Sequence, residues 1–404
     1  MTAVLTAGPL LGTGHPDLRS HADLRGHETT HGPLPRLPHD VLIGVVRDAG
    51  LTGHGGAGFP THLKLAAVRE NGGGRRPPVV VGNGAEGEPG SAKDRTLLAR
   101  APHLVLDGLQ LAAAAVGAAK AYLYVRPATA GPLARAVQER RAAGRDAVPV
   151  VVHRAQEAFL SGEESAVVSV LSGGRAVPRD KLRRVTESGV GGAPTLVQNV
   201  ETLAQLALVA RHGADWFRRS RTFLATVTGP VGRPGVYEVP HGVALAALLS
   251  AAGGPVPAPR AVLVGGFHGA WVPGDAVEVP VTREGLAPHG ASPGAGVVIP
   301  LAAGECGLAR TAQIVGYLAG AGAKQCGPCL NGLPRLAATM AALARMEGDP
   351  SLPAGVARLA ALVHGRGACG HPDGTVRLIR SAMTVFAADV TAHLHGGCLE
   401  GARP

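Results

Sequence analysis

Residues Gly53-His54-Gly55-Gly56-Ala57-Gly58-Phe59-Pro60-Thr61-His62-Leu63-Lys64 place four glycines in six positions. A main chain so bare lets its N–H groups approach a phosphate or a flat ring. Thr61 reads as the cap of a helix over 63–69, and helix N-termini favour anions. A short apolar strand, Val79 to Val81, then leads into Asn83-Gly84-Ala85-Glu86-Gly87-Glu88-Pro89-Gly90 and on to Lys93-Asp94-Arg95. Two carboxylates between glycines at the end of a buried strand suit the ligand crevice of an open α/β sheet.

Working outward, 40–49 reads as a helix ahead of the glycine loop. That order differs from the strand–loop–helix of a dinucleotide fingerprint. An apolar helix over 104–119, with Asp107 and Gln110 on its polar side, precedes β-like runs at 121–125 and 149–152. This alternation predicts an α/β domain over 41–220. Phe159-Leu160-Ser161-Gly162-Glu163-Glu164-Ser165 opens a helix over 166–171, where two glutamates are good dipole partners. The segment 221–300 changes character, with a strand–turn–strand signal at 228–237, a short helix over 243–252 and a strand at 261–265. From 301 to 404 the pattern predicts helices over 308–318, 333–346, 353–363 and 376–392, burying their apolar stripes as a bundle. The first 40 residues, rich in Pro, Gly and His, read as a flexible surface segment. Its histidines (His15, His21, His27, His31, His39) are too irregularly spaced for a metal site.

With 404 residues the chain has ample material for two or three domains. Aromatics make up only 3%, so the packing must be largely aliphatic. A net charge of +10 suits an acidic partner. The basic residues are scattered and no recognition motif accompanies them, which argues against nucleic acid. Five cysteines do not form a secreted disulfide framework. Neither a signal peptide nor a membrane-spanning helix is expected, so the chain reads as cytoplasmic, peripheral at most to a membrane complex. Cys326-Gly327-Pro328-Cys329, with Cys369 on a later loop, has the spacing to converge on one metal centre.

The Gly-x-Gly-Gly-x-Gly-Phe-Pro-Thr run, followed by Glu-Gly-Glu-Pro-Gly-x-x-Lys-Asp-Arg, resembles the flavin-binding 51-kDa-type F subunit of NADH:quinone oxidoreductase (respiratory complex I). Flavoprotein subunits of bidirectional hydrogenases and NAD-linked formate dehydrogenases share this core. The resemblance runs from about Leu42 to Val390, with Gly162-Glu163-Glu164 and Pro194-Thr195-Leu196-Val197-Gln198-Asn199-Val200-Glu201-Thr202-Leu203 at matching places. It implies a Rossmann-like FMN domain, a β-grasp (soluble-ligand-binding) domain and a C-terminal helical iron–sulfur domain. It also implies FMN held by Gly53, Gly55, Gly56, Lys64, Asn83, Glu86, Gly162, Glu163, Glu164 and Asn199. Glu88, with Glu86, takes the catalytic position beside the nicotinamide, and Phe59 and Lys181 contact the dinucleotide.

Two departures stand out against that pattern. On the dinucleotide side Ala85, Leu65, Ala67 and Arg184 replace an acidic and three aromatic residues, while Arg183 and Arg184 suit an extra phosphate, as in NADPH, or an acidic partner. In the cysteine motif the second to fourth positions are Cys326, Cys329 and Cys369, but the first falls on Ala323. A [4Fe–4S] cluster then needs a fourth ligand from Cys306, Cys398, His371, water or a partner; a [3Fe–4S] cluster does not. A Cys₃His zinc site including His371 and a redox-active Cys-x-x-Cys pair are rival readings of the same residues. The resemblance implies electron transfer from NADH or NADPH through FMN and the cluster to a ferredoxin-like or quinone-linked acceptor. The alternative is a non-catalytic electron-transfer or assembly subunit that keeps the fold and not the nicotinamide chemistry.

Overall fold

The computed structural model describes residues 8–11, 22–74, 76–179, 182–255 and 257–400. The described chain divides into two compact units. One holds the residues up to Leu224 together with Val236–Pro240; the other holds Ala225–Gly235 and the residues from His241 onward. The segments expected as β-grasp and helical domains thus fall largely within one unit.

The first unit is built on four strands: β1 (Val79–Gly84), β2 (Lys120–Val125), β3 (Val150–Arg154) and β4 (Thr195–Asn199). Their order is β3-β2-β1-β4, and every pairing is parallel. β1 is buried because its Val-Val-Val run meets packed layers on both faces, as parallel strands require. The chain winds to one side of β1 for β2 and β3, then crosses back to place β4 on the other. The switch point of the sheet therefore lies between β1 and β4, at their carboxyl ends, where Asn83 pairs in register with Asn199.

Helices His39–Ala49, Thr61–Glu70, Pro102–Val116 and Val200–Ser220 pack around this sheet. Pro102–Val116 is buried on nearly all sides, so Asp107 and Gln110 do not form a solvated face. Gln110 instead bonds the main chain of Ala147 and Val148. Asp107 pairs with His27 at 2.7 Å, Arg140 at 2.8 Å and Arg211 at 2.5 Å. Burial opposes this carboxylate, but the hydrogen bond from His27 and the two guanidinium groups hold it well below the usual range.

That cluster holds part of the first 40 residues, expected to be a flexible surface segment, against the first unit. Leu24–His31 is a helix capped by Asp23, and its buried Leu24 and His27 tie it to the unit. Of the five histidines there, His15 and His21 lie outside the described residues.

The second unit contains β7 (Ala261–Val264), β8 (Ala270–Pro273) and β9 (Val297–Pro300), which follow β5 (Thr222–Val227) and β6 (Gly235–Pro240) in the chain. Within this unit β9 pairs parallel with the end of β5 at Thr226 and Val227 and antiparallel with β7, which pairs antiparallel with β8. Helices Gly307–Ala321, Leu333–Ala344, Leu352–Val363, His371–Val385 and Ala387–Leu394 follow. The single helix expected over 376–392 is two, broken at Phe386, whose ring is buried edge-on to Trp271 at 5.4 Å. No helix among the described residues is long and apolar enough to cross a membrane.

Candidate functional site

The glycine loop stands at the switch point. Thr52 and Pro60 bridge its base, and Gly53 N–H donates to the Phe59 carbonyl at 2.9 Å. Within the loop Gly56 (φ 104°) and Gly58 (φ 62°) occupy conformations that residues with a Cβ rarely adopt. His54 fastens the loop to the start of helix Val200–Ser220: its N–H donates to Thr202 Oγ1 at 2.9 Å and its Nδ1 lies 3.2 Å from Glu201 Oε1. Thr61 is the first residue of helix Thr61–Glu70 and not its cap. Its buried hydroxyl has no hydrogen-bond partner among the described residues.

The acidic loop does something different from what its glutamates suggest in sequence. Glu86 turns back with φ 46° and accepts from Ser91 Oγ (2.7 Å) and the N–H groups of Asp94 (2.9 Å) and Arg95 (3.3 Å). It thereby supports the start of the helix Lys93–Arg100, which engages its carboxylate within the fold. Glu88 is half-buried farther along the loop. Gly87 is needed for close approach: a Cβ there would sit 2.2 Å from the Phe159 carbonyl oxygen. The loop thus lies against the turn Phe159–Gly162, and Asn83 Nδ2 donates to the Gly162 carbonyl at 2.8 Å.

Beneath the loops lies a buried charge network that the candidate residues alone do not disclose. Lys93 Nζ reaches Asp94 Oδ1 (2.7 Å), Glu201 Oε2 (2.9 Å) and Asn199 Oδ1 (3.1 Å). Asn199 in turn donates to Asp94 Oδ2 (2.8 Å) and caps helix Val200–Ser220 through Glu201 N–H (3.0 Å). Burial works against the Lys93 ammonium, yet Asp94 and Glu201 raise its pKa above the ordinary value. Burial likewise opposes the Glu201 carboxylate, but His54 and Lys93 hold it below the usual range. Burial lowers the pKa of His54. It raises Asp94 to about 6, only partly offset by Lys93. The signal was the Lys93-Asp94 pair read with Glu201 in the second motif.

Glu163 and Glu164 separate in role. Glu163 caps helix Glu164–Leu171, accepting from Ser165 N–H (2.8 Å) and Ala166 N–H (3.0 Å). Glu164 pairs with Lys64 at 2.5 Å, and Lys64 also donates to the Val197 carbonyl on β4 at 2.9 Å. A half-buried ammonium thus stands beside a glycine loop at the switch point. Thr61 Oγ1 and Gln198 Nε2, on the adjoining elements, are buried without a hydrogen-bond partner among the described residues. This donor set fits a ligand with an anionic tail and a polar chain, as FMN has.

On the dinucleotide side, Phe59 is 49% exposed beside the loop, free to offer its ring face. Leu65 is fully buried in the main core, so no stacking surface is lost there. Arg183 and Arg184 are exposed, as is Leu182; Lys181 lies outside the described residues.

In the helical segment Cys326, Cys329 and Cys369 gather near the end of helix Gly307–Ala321. A Cβ at Gly322 would lie 3.4 Å from Cys329 Sγ. Burial first, then Cys326 and Cys369 beside it, pushes the Cys329 thiol up to about 12. These three do not all lie within the 4.8 Å that joins Cys306, His393 and Cys398. Both ring nitrogens of His371 are engaged within the fold: Nδ1 bonds His268 Nε2 and Nε2 bonds the Leu318 carbonyl, both at 2.9 Å. Cys306 lies at the opposite end of that 15-residue helix, about 22 Å away at 1.5 Å per residue. Cys306, and Cys398 beside it, are therefore not the missing ligand.

Residues 46–208 match the model of the Nuo51 FMN-binding domain, 224–266 the SLBB domain, and 309–393 the NADH-ubiquinone oxidoreductase-F iron-sulfur binding region. The second NADH-quinone oxidoreductase F subunit of Rhizobium meliloti is 30% identical over 390 residues, covering 91% of this chain and 92% of that protein. The corresponding F subunit of Mycobacterium tuberculosis H37Rv is 31% identical over 93% of this chain and 89% of its own. Among solved structures, an NAD+-reducing [NiFe]-hydrogenase in the air-oxidized state is similar with a TM-score of 0.81 and 30% identity. That match covers 94% of this chain and 65% of the hydrogenase chain.

Proposed function

Because this chain belongs to the family of NADH-quinone oxidoreductase F subunits, we propose that it passes electrons from a nicotinamide dinucleotide through FMN to an iron–sulfur cluster. FMN, when bound, supplies the change from two-electron hydride chemistry to the single electrons that a cluster accepts. The observation that carries the reading is the meeting of the glycine loop, Lys64 and Asn83 at the carboxyl ends of β1 and β4.

In this reading Gly55 and Gly56 offer main-chain N–H groups to the flavin, Gly53 closes the base of the loop through the Phe59 carbonyl, and Lys64 holds the phosphate or ribityl chain. Asn83, Gly162, Glu164 and Asn199 shape the rest of the cradle. Glu86 and Glu163 act as positioning residues, since each is engaged as a helix cap. Glu88 meets the nicotinamide, Phe59 stacks on the dinucleotide, and Lys181 with Arg183 and Arg184 receives its phosphates. Cys326, Cys329 and Cys369 bind the cluster, with water or a partner's side chain on the fourth iron. Residues 41–220 form the flavin domain, 221–300 the β-grasp domain and 301–404 the cluster domain. The protein works in the cytoplasm, handing electrons to a ferredoxin-like or quinone-linked acceptor.

The test is the anaerobic absorption spectrum before and after NADH, then NADPH, with FMN and iron assayed on one sample. Bleaching of both chromophores by one nucleotide is expected and identifies the donor. A flavin that stays oxidised with both would overturn the donor assignment and favour the non-catalytic reading.

A further inference from the structure

Two cysteines remain outside the cluster motif, and the fold brings them together. Cys306 precedes helix Gly307–Ala321, His393 lies in helix Ala387–Leu394, and Cys398 lies in the turn after it. Their ligand atoms all fall within 4.8 Å of one another, and Cys306 Sγ is 3.5 Å from His393 Nε2. Cys306 and His393 are buried and Cys398 is half-buried. We propose that Cys306, His393 and Cys398 form a zinc site, separate from the iron–sulfur cluster, that clamps the C-terminal turn to the start of helix Gly307–Ala321.

Three features point to a metal rather than to chance proximity. The imidazole is oriented: its Nδ1 faces the Leu343 carbonyl at 3.0 Å, so Nδ1 carries the proton and Nε2 turns its lone pair towards Cys306. Ligating histidines are held in this manner by a main-chain carbonyl. The sulfur of Cys306 is also fixed in place at the start of the helix, accepting from the N–H groups of Leu308 and Ala309. Finally, tetrahedral zinc with bonds of about 2.3 Å to sulfur and 2.0 Å to nitrogen needs ligand atoms roughly 3.5–3.8 Å apart. The Cys306–His393 pair already has that spacing, and Cys398 needs to move by about an ångström at most.

Two thiolates and an imidazole select a borderline-soft ion such as zinc over magnesium or calcium. Binding Zn²⁺ releases the two thiol protons to solvent, so the site fills more tightly as pH rises. The fourth position goes to water or to a partner's side chain.

The test uses the full chain with its cluster, treated with a weak chelator and assayed for zinc and iron by plasma mass spectrometry. About one zinc per chain is expected in the parent. Cys398→Ser should bind zinc at least about tenfold more weakly while iron stays unchanged. Cobalt substitution provides a second readout, because sulfur-to-cobalt absorption should weaken in Cys398→Ser and in Cys306→Ser. Equal zinc in parent and Cys398→Ser, no zinc in the parent, or a Cys306–Cys398 disulfide found by non-reducing mass analysis would each overturn the proposal.

Discussion

Lys93→Met removes the one ammonium that holds Asp94 and Glu201 together. In the parent Nζ makes three contacts, at 2.7, 2.9 and 3.1 Å, all within a buried pocket. Methionine fills a similar volume but leaves two carboxylates facing each other without the cation. Breaking a buried pair from one side costs about 3–5 kcal/mol. For a unit of this size each kcal/mol lowers Tm by about 2–4 °C, so a fall of roughly 6–20 °C is expected in thermal unfolding followed by circular dichroism. The loss should also depend on pH. Asp94 is already raised to about 6 in the parent, and losing Lys93 pushes it higher. The folded variant then binds a proton more tightly than the unfolded chain, so its stability rises as pH falls from 8 to 5. Adding Glu201→Gln to Lys93→Met should return about 1 kcal/mol or more, because the repelling partner is gone. A Tm within about 2 °C of the parent, or an equal deficit at pH 5 and pH 8, would refute the network argument.

The other predictions separate binding from folding. Lys64→Met should change stability by at most about 1 kcal/mol, since this pair is partly exposed, yet weaken FMN retention by tenfold or more on gel filtration. Unchanged retention would remove Lys64 from the flavin site. His371→Ala should leave iron per chain unaltered while costing about 1–3 kcal/mol in urea unfolding, because both of its hydrogen bonds are structural. A loss of iron would restore it as a ligand. Ala323→Cys should slow the loss of the fourth iron in air, read as delayed appearance of the [3Fe–4S] signal in electron paramagnetic resonance. An identical time course would mean that position 323 does not face the cluster.

How much of this was legible depended on sequence distance. The glycine loop and the strand-end asparagine declared themselves because a few adjacent residues carry the geometry. Helix ends in the C-terminal segment were also close, except at Phe386, where a buried aromatic contact outweighs local periodicity. The loop sequence does not disclose that the Glu86 carboxylate also serves the helix that begins seven residues later, where the chain turns back at a positive φ. Leu65 looked like a lost stacking residue, yet the helix turns it into the core. The composition of the first 40 residues hid one buried histidine whose partner, Asp107, lies 80 residues on. Likewise, Cys306 and His393 are 87 residues apart, so only the fold reveals their meeting.

The sheet order also sets a schedule for biosynthesis. β4 is needed to cover one edge of β1, yet Asn199 follows Asn83 by 116 residues. At roughly 5–20 residues per second a ribosome needs about 6 to 23 s to supply it. During that interval the Val-Val-Val edge of β1 stays unpaired on one side, and Lys93 waits for Glu201. Such an edge is open to pairing with another nascent chain. The hazard ends when 195–201 emerge, for those few residues close the sheet and neutralise the pocket in one step. Ribosome stalling between β3 and β4 should therefore be the moment at which this chain most needs a chaperone.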